Sequence, residues 1–308
     1  MNPSSNRFTA ADDLLHDVSG AGPDARESLA FTAPIPGEQL MVFLYLWREP
    51  AGWGRFVFVG GPDVDKPEFL TFEGDTTFEG TDLDDCSVGG LRLRQPEPLH
   101  SAELELSRDG VDISIRFEGL HHPFSWHDNP SGCPAWAATD RYEQSCRTSG
   151  TIRLGDRVVE FRGIGHRDHS WGPRKWNTIQ HWKWMNATTE DHSRSLHAMI
   201  ALIKGEIMIN GYLSVDGTLS PVIAAEATAD LDGRLVHRAV SGRFRDQLGR
   251  SMELECAYSA GWSMPIHHLV LNEIGMTATL DGRPAVAHVE MGWPAAYIEM
   301  AGEGMAAG

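Results

Sequence analysis

From Leu40 onward, apolar, β-branched and aromatic residues recur in short runs rather than at helical spacing. Strands are predicted at Leu40–Trp47, Arg55–Val59, Ala102–Leu106, Val111–Phe117, Thr151–Leu154 and Val158–Phe161. Further strands are predicted at Glu206–Leu213, Ser251–Ser259 and Met276–Leu280. Between the runs lie dipeptides that adopt positive φ at little cost: Asp109-Gly110, Asp216-Gly217, Asp232-Gly233 and Asp281-Gly282, each a hairpin signal. Ala102–Phe117 shows the pattern most clearly, alternating, turning at Asp109-Gly110 and alternating again. Thr151–Phe161, turning at Gly155-Asp156, is a second case. The first thirty or so residues are polar and carry Ser, Gly and Pro; a short helix is expected around Ala10 to Val18, and the rest reads as a loosely held arm. No long stretch after it carries a helical stripe.

A chain of 308 residues exceeds the usual single domain of roughly 100–200 residues, so two domains are expected. Evenly spaced hairpins and 32 glycines fit barrels or sandwiches better than any α/β plan. The loop-rich stretch His121 to Gly150, with Pro123, Pro130 and Pro134, reads as a long connection or lid. The hairpin Thr151–Phe161 then closes the first half, which places the break near Gly163 and the domains at 1–163 and 164–308.

Charge narrows the partners. A net charge of −17 with pI near 5.2 argues against nucleic acid, which needs clustered Lys and Arg, and against an anionic membrane surface. The longest apolar stretch, Leu40 to Trp47, is far short of the ~20 residues that span a bilayer, and Met1 to Gly20 lacks the pattern of a signal peptide. Cys86, Cys133, Cys146 and Cys256 form no CxxC pair, so reduced thiols and a cytoplasmic address are expected, without a structural zinc site. Nothing in the sequence requires a homodimer, and nothing excludes one.

One segment differs from the rest. Gly163-Ile-Gly-His-Arg-Asp-His-Ser-Trp-Gly-Pro-Arg-Lys-Trp176, followed by His181-Trp-Lys-Trp184, concentrates four of the ten tryptophans among His, Asp and Arg. Such a mixture suits a largely apolar ligand cavity with a few convergent polar groups. If Gly165–Trp171 is extended, Arg167, His169 and Trp171 share one face, and His166, Asp168 and Ser170 share the other. Trp182 and Trp184 likewise share a face. The expectation is that His169, Trp171 and the Trp pair meet inside a barrel, with Asp168 holding them from behind. A core layer with satisfied polar groups has the same composition, so composition leaves both readings open.

Other signals carry less. Gly163-Ile-Gly165 lacks the third glycine and the following helix of a dinucleotide loop. His166 and His169 fall on opposite strand faces, a poor metal pair. His121, His122, His127 and Asp128 are metal-ligand types, but their setting among Pro and Trp reads rather as a packed lid. No metal and no cofactor is expected.

Gly165-His-Arg-Asp-His-Ser-Trp-Gly-Pro-Arg174 with His181-Trp-Lys-Trp184 resembles the signature of the carotenoid 1,2-hydratase-like (hydroxyneurosporene synthase-like, AttH-like) proteins. The resemblance implies an all-β fold of two tandem lipocalin-like antiparallel β-barrels, or calycins, and a pocket for a hydrophobic, often isoprenoid, ligand. It implies a lyase-type activity, water addition to an isoprenoid or prenyl C=C bond. Similar folds serve as cyclases guiding pericyclic reactions. The family's functional His and Trp correspond to His169 and Trp171, with Asp168 beside them. Arg167, Trp176, Trp182 and Trp184 are expected to line the substrate site. The hydratases also use a Tyr and an Asp further along; no Tyr lies between Tyr142 and Tyr212, so those roles are not carried over.

Hydration of an unactivated alkene needs a proton donor, a surface tolerant of a carbocation, and one placed water. Asp168, read as flanked by Arg167 and Arg174, looks like an ion-paired carboxylate, which leaves His169 as the expected acid or base. Two other classes use the same pocket: a carrier of a hydrophobic molecule, and a cofactor-free cyclase or isomerase.

Overall fold

The computed structural model describes residues 7–306. The first sheet begins with β1 (Ala25–Ile35), β2 (Leu40–Glu49), β3 (Gly52–Gly60) and β4 (Phe69–Thr76). It continues through β5 (Phe78–Gly80), β6 (Asp85–Val88), β7 (Leu91–Glu97) and β8 (Ser101–Arg108). Its last strands are β9 (Val111–Gly119), β10 (Phe124–Ser125), β11 (Asp140–Leu154) and β12 (Arg157–Pro173). The second sheet holds β13 (Ile179–Thr189), β14 (Arg194–Ile203), β15 (Glu206–Val215) and β16 (Thr218–Leu231). It is completed by β17 (His237–Asp246), β18 (Ser251–Ile266), β19 (Leu269–Leu280) and β20 (Arg283–Pro294).

The first sheet curls into a nearly closed barrel that stops at the unpaired edges of β4 and β5, and β12 is inserted between β1 and β11. The second sheet is a closed eight-stranded barrel in sequence order. All pairings are antiparallel, as the turns require: Asp109 and Gly110, at φ 53° and 80°, make the primed turn that matches strand twist.

Each barrel is filled by its own side chains. Leu40, Val42, Leu44 and Leu46 point into the first, whereas Met41, Phe43 and Trp47 face the second barrel. Burial on both faces explains why β2 is a continuous apolar run rather than an alternating one. On β13, Met185 and Ala187 point into the second barrel, while Trp182 and Trp184 face the first. A third apolar cluster therefore lies between the barrels.

Several expectations are corrected. The change of sheet falls between Pro173 and Ile179, because Gly165–Pro173 continues the pairing of β12 with β11 and then with β1. The motif thus closes the first barrel instead of opening the second. Residues 25–35 are a central strand rather than part of a loose arm. Ahead of them Ala10–Asp13 and Ser19–Asp24 wind as short 3₁₀ turns, and Phe8 and Asp13 are buried. A terminal helix, α1 (Ala295–Ala306), was not foreseen: its Ala, Met and Gly residues make no strong stripe, and Tyr297 stacks on Trp293 at 5.6 Å. All four cysteines are free thiols. No helix among the described residues is long and apolar enough to cross a membrane.

Candidate functional site

Strand parity separates the motif's side chains into two groups, as expected, but the two groups serve different places. Arg167, His169 and Trp171 point into the end of the first barrel. There the segment Phe8–Val18 closes over them. His169 Nε2 lies 3.1 Å from Glu27 Oε1, and its Nδ1 lies 3.9 Å from Asp13 Oδ1. Arg167 donates to Asp13 Oδ2 at 3.3 Å and to Gln144 Oε1 at 2.6 Å. His16 stacks on Trp171 at 3.6 Å and reaches Glu27 Oε1 at 2.8 Å. Tyr142 and the Leu99 backbone N–H also donate to Asp13. Buried charges need partners, and Asp13 and Glu27 find all of theirs here.

The expectation that His169, Trp171 and Arg167 share a hollow with Trp182 and Trp184 is therefore not met. β12 is buried on both faces from Ile164 to Gly172, so periodicity could separate the faces without telling which one meets the cavity.

The opposite face does meet it. Asp168 lines a cleft between the barrels together with Ala30, Phe43 and Tyr45 of the first sheet and Trp176, Trp182, Trp184, Met199 and Glu290 beyond it. Trp126, Trp136 and Ala137, from the long connection, form one wall. The cavity is narrow, about 80 Å³. Two motif glycines allow close approaches along β12, Gly165 on the face toward the first barrel and Gly172 where the strand meets the long connection. A Cβ on Gly165 would stand 2.5 Å from the Thr32 carbonyl oxygen, and Gly172, at φ 119°, lies against the Thr139 backbone.

Polar groups in the cleft form an ordered set. Arg141 donates from Nη2 to Asp168 Oδ2 at 2.8 Å and from Nε to Glu143 Oε1 at 2.7 Å, with its guanidinium 4.6 Å over the Trp126 ring. Arg174 donates to Ser170 Oγ and to the Ala137 carbonyl, both at 2.7 Å, and lies over Trp176. Trp182 donates its indole N–H to Glu290 Oε1. Tyr45 contributes a hydroxyl, with Arg26 Nη2 at 3.4 Å.

Burial raises the Asp168 carboxyl to about 6; Arg141 opposes this and the neighbouring Glu143 adds to it. Its ion-pair partner is Arg141, not Arg167 as the sequence suggested. Burial, then the charge and hydrogen bond of Glu273, lift Glu290 well above the ordinary carboxylate range. The cleft thus presents two unlike carboxyls: burial and Glu273 favour the protonated form of Glu290, whereas Arg141 favours the ionised form of Asp168. Burial holds His166 near 3 and His288 near 4, so both imidazoles are neutral.

Sequence reasoning placed Asp168, Trp176, Trp182 and Trp184 near the site but missed Tyr45, Arg141 and Glu290. The available signal was a solitary acid in a mostly apolar strand run, Val286–Trp293, whose other polar side chain is His288.

Two groups of three metal-ligand side chains occur among the described residues: His16, Glu27 and His169, and Glu143, His166 and His197. In the first, Arg48 already pairs with Glu27 at 3.0 Å. In the second, Arg141, Trp126 and Trp184 donate to Glu143, and the Nδ1 atoms of His166 and His197 have no acceptor. A metal-bound imidazole normally donates its second N–H to a fixed partner, and an adjacent guanidinium opposes a dication. His121 and His127 turn to separate partners, the Tyr212 hydroxyl and the Thr139 carbonyl.

Two antiparallel β-barrels with an aromatic cleft between them define a double-barrel fold that several solved structures share. A candidate AttH (NE1406) from Nitrosomonas europaea matches with a TM-score of 0.60 and 14% identity, over 87% of this chain and 92% of that one. CghA, solved with Sch210972, matches with a TM-score of 0.60 and 13% identity, over 87% and 88%. Kievitone hydratase from Nectria haematococca matches with a TM-score of 0.58 and 11% identity, over 95% and 97%. No curated protein matches the chain. The chain belongs to the family described as "Domain of unknown function (DUF7064)", whose model matches residues 9–295.

Proposed function

We infer that the chain is a cofactor-independent hydratase-like enzyme that adds water across a C=C bond of a prenylated or linear isoprenoid substrate held between the barrels. The observation that carries this reading is the pair of unlike carboxyls, Glu290 and Asp168, in one aromatic cleft. In the forward direction Glu290 gives its proton to the less substituted alkene carbon, leaving a tertiary carbocation and a carboxylate. Water bonds to the cation through oxygen and passes a proton to Asp168. Hydrogen and hydroxyl are thereby added, and one proton must return from Asp168 to Glu290 to reset the site.

Trp182, Trp184 and Trp126 offer π faces to the cation, worth about 0.5–2 kcal/mol per contact. At about 1.36 kcal/mol per tenfold in rate, that contribution is smaller than the one expected from a placed acid and base. Arg141 keeps Asp168 aligned and largely ionised.

The resemblance of the motif implies a second reading, a cyclase or isomerase that works by shape in the same cleft. The narrowness of the cleft favours a slender prenyl arm over a bulky ring system. Turnover of a panel of prenylated aromatics and linear isoprenoids in heavy water tests the choice. A hydratase yields product heavier by one water with one carbon-bound deuterium, and Glu290→Gln lowers its rate by about 100-fold or more. Bond reorganisation without water uptake would contradict the hydratase reading, and binding without any product would leave a carrier.

A further inference from the structure

Glu273 and Glu290 stand directly opposite each other on β19 and β20 and share the face that looks toward the first barrel. Glu273 is wholly buried and lies outside the cleft lining, whereas Glu290 reaches the cleft. Two carboxyls on facing positions of adjacent strands cannot both be ionised cheaply in a low dielectric, so they hold a proton between them.

The surrounding hydrogen bonds decide which carboxyl keeps it. His288 Nε2 lies 2.8 Å from Glu273 Oε2. With that imidazole neutral, its N–H serves Glu273, which makes Glu273 the acceptor side of the pair. The second oxygen of Glu273, Oε1, has no donor among the described residues. Glu290 stands directly opposite on the adjacent strand, where a proton on its carboxyl is placed to supply that donor. Glu290 accepts the Trp182 indole N–H on its own Oε1.

We propose that Glu273 is a positioning residue for Glu290: held as an acceptor by His288, it keeps a proton on Glu290 at the wall of the cleft. The proposal rests on the assignment of Glu290 as the cleft acid. The other charged and titratable groups that face this pair are Asp168, Arg141 and His166 from the first sheet, with His237 behind His288. None of them replaces Glu273, because Glu290 pairs across its adjacent strands with Glu273 on β19 and with Trp184, which does not titrate, on β13.

Infrared titration of the carboxylic-acid C=O stretch in the full chain tests this without a substrate. The wild type retains a buried carboxylic-acid band at neutral pH, and Glu290→Gln removes it. In Glu273→Gln the band of Glu290 titrates lower by about one pH unit or more, a tenfold weaker hold on its proton. An unchanged midpoint in Glu273→Gln overturns the positioning role while leaving Glu290 as the acid. No band in the wild type, or a band that persists unchanged in Glu290→Gln, overturns the assignment of Glu290 itself. Should Glu273→Gln fail to fold, His288→Leu gives the second comparison. Losing the donor to Glu273 raises the lower titration step of the pair, and an unshifted step overturns the proposal.

Discussion

Asp168 and His169 are neighbours in sequence yet serve opposite sides of one strand. Asp168 receives Arg141 at 2.8 Å in the cleft between the barrels, whereas His169 lies 3.1 Å from Glu27 beneath the N-terminal segment. The same motif therefore does two jobs. One face lines the cleft, and the other anchors Phe8–Val18 over the end of the first barrel.

Asp13 is the anchor's centre, touched by Arg167, Tyr142, His169 and the Leu99 N–H. Asp13→Asn leaves Arg167 buried without its anion, an expected loss of about 3 kcal/mol, in the range for breaking a buried pair. Urea unfolding reads the loss, and hydrogen exchange reads faster opening of Phe8–Val18. Unchanged stability would show that the segment rests on the barrel rather than locking into it.

Two buried carboxyls give opposite pH dependences. Burial would raise Glu27, but His16 and His169 overcome it and hold it at about 2. Its stabilisation is full above its ordinary value of 4.5 and is lost as pH falls through about 2. Glu273 is raised to about 7, chiefly by burial. The folded state then binds more protons than the unfolded one between 4.5 and about 7, so its contribution declines as pH rises across that window. Glu273→Gln removes this decline. Denaturant midpoints measured on both sides of the window should show a flatter profile for the variant, and parallel profiles would contradict the assignment.

Ala30 borders the cleft at the register position opposite Asp168. Ala30→Leu pushes a larger side chain into the narrow space, at a stability cost of about 1–3 kcal/mol. Quenching of the clustered indoles by a prenylated aromatic should be lost in this variant while the far-ultraviolet spectrum is kept. Retained quenching would place the ligand elsewhere.

Much of the architecture was legible because hairpins announce themselves. Alternation around Asp109-Gly110 reflects strands with one wet face, and both this turn and Asp281-Gly282 join paired strands. Legibility failed where both faces are dry. β2 and β12 are buried on each side, so the direction of His169 and Asp168 rested on packing that only the second barrel supplies. Tyr45, Arg141 and Glu290 come from segments far apart in the chain, and no local spacing joins them. Trp182 and Trp184 were readable because their shared parity already separates them from Met185 and Ala187 in the barrel core.

The most direct test compares His169→Ala with Asp168→Asn in one turnover assay on a prenylated substrate, each variant first shown to be folded at the assay temperature. His169→Ala should unfold at lower temperature yet keep turnover within a few-fold of the wild type, while Asp168→Asn keeps its stability and loses about 100-fold or more in rate. Loss of turnover in folded His169→Ala, with Asp168→Asn still active, would contradict a reaction centre between the barrels.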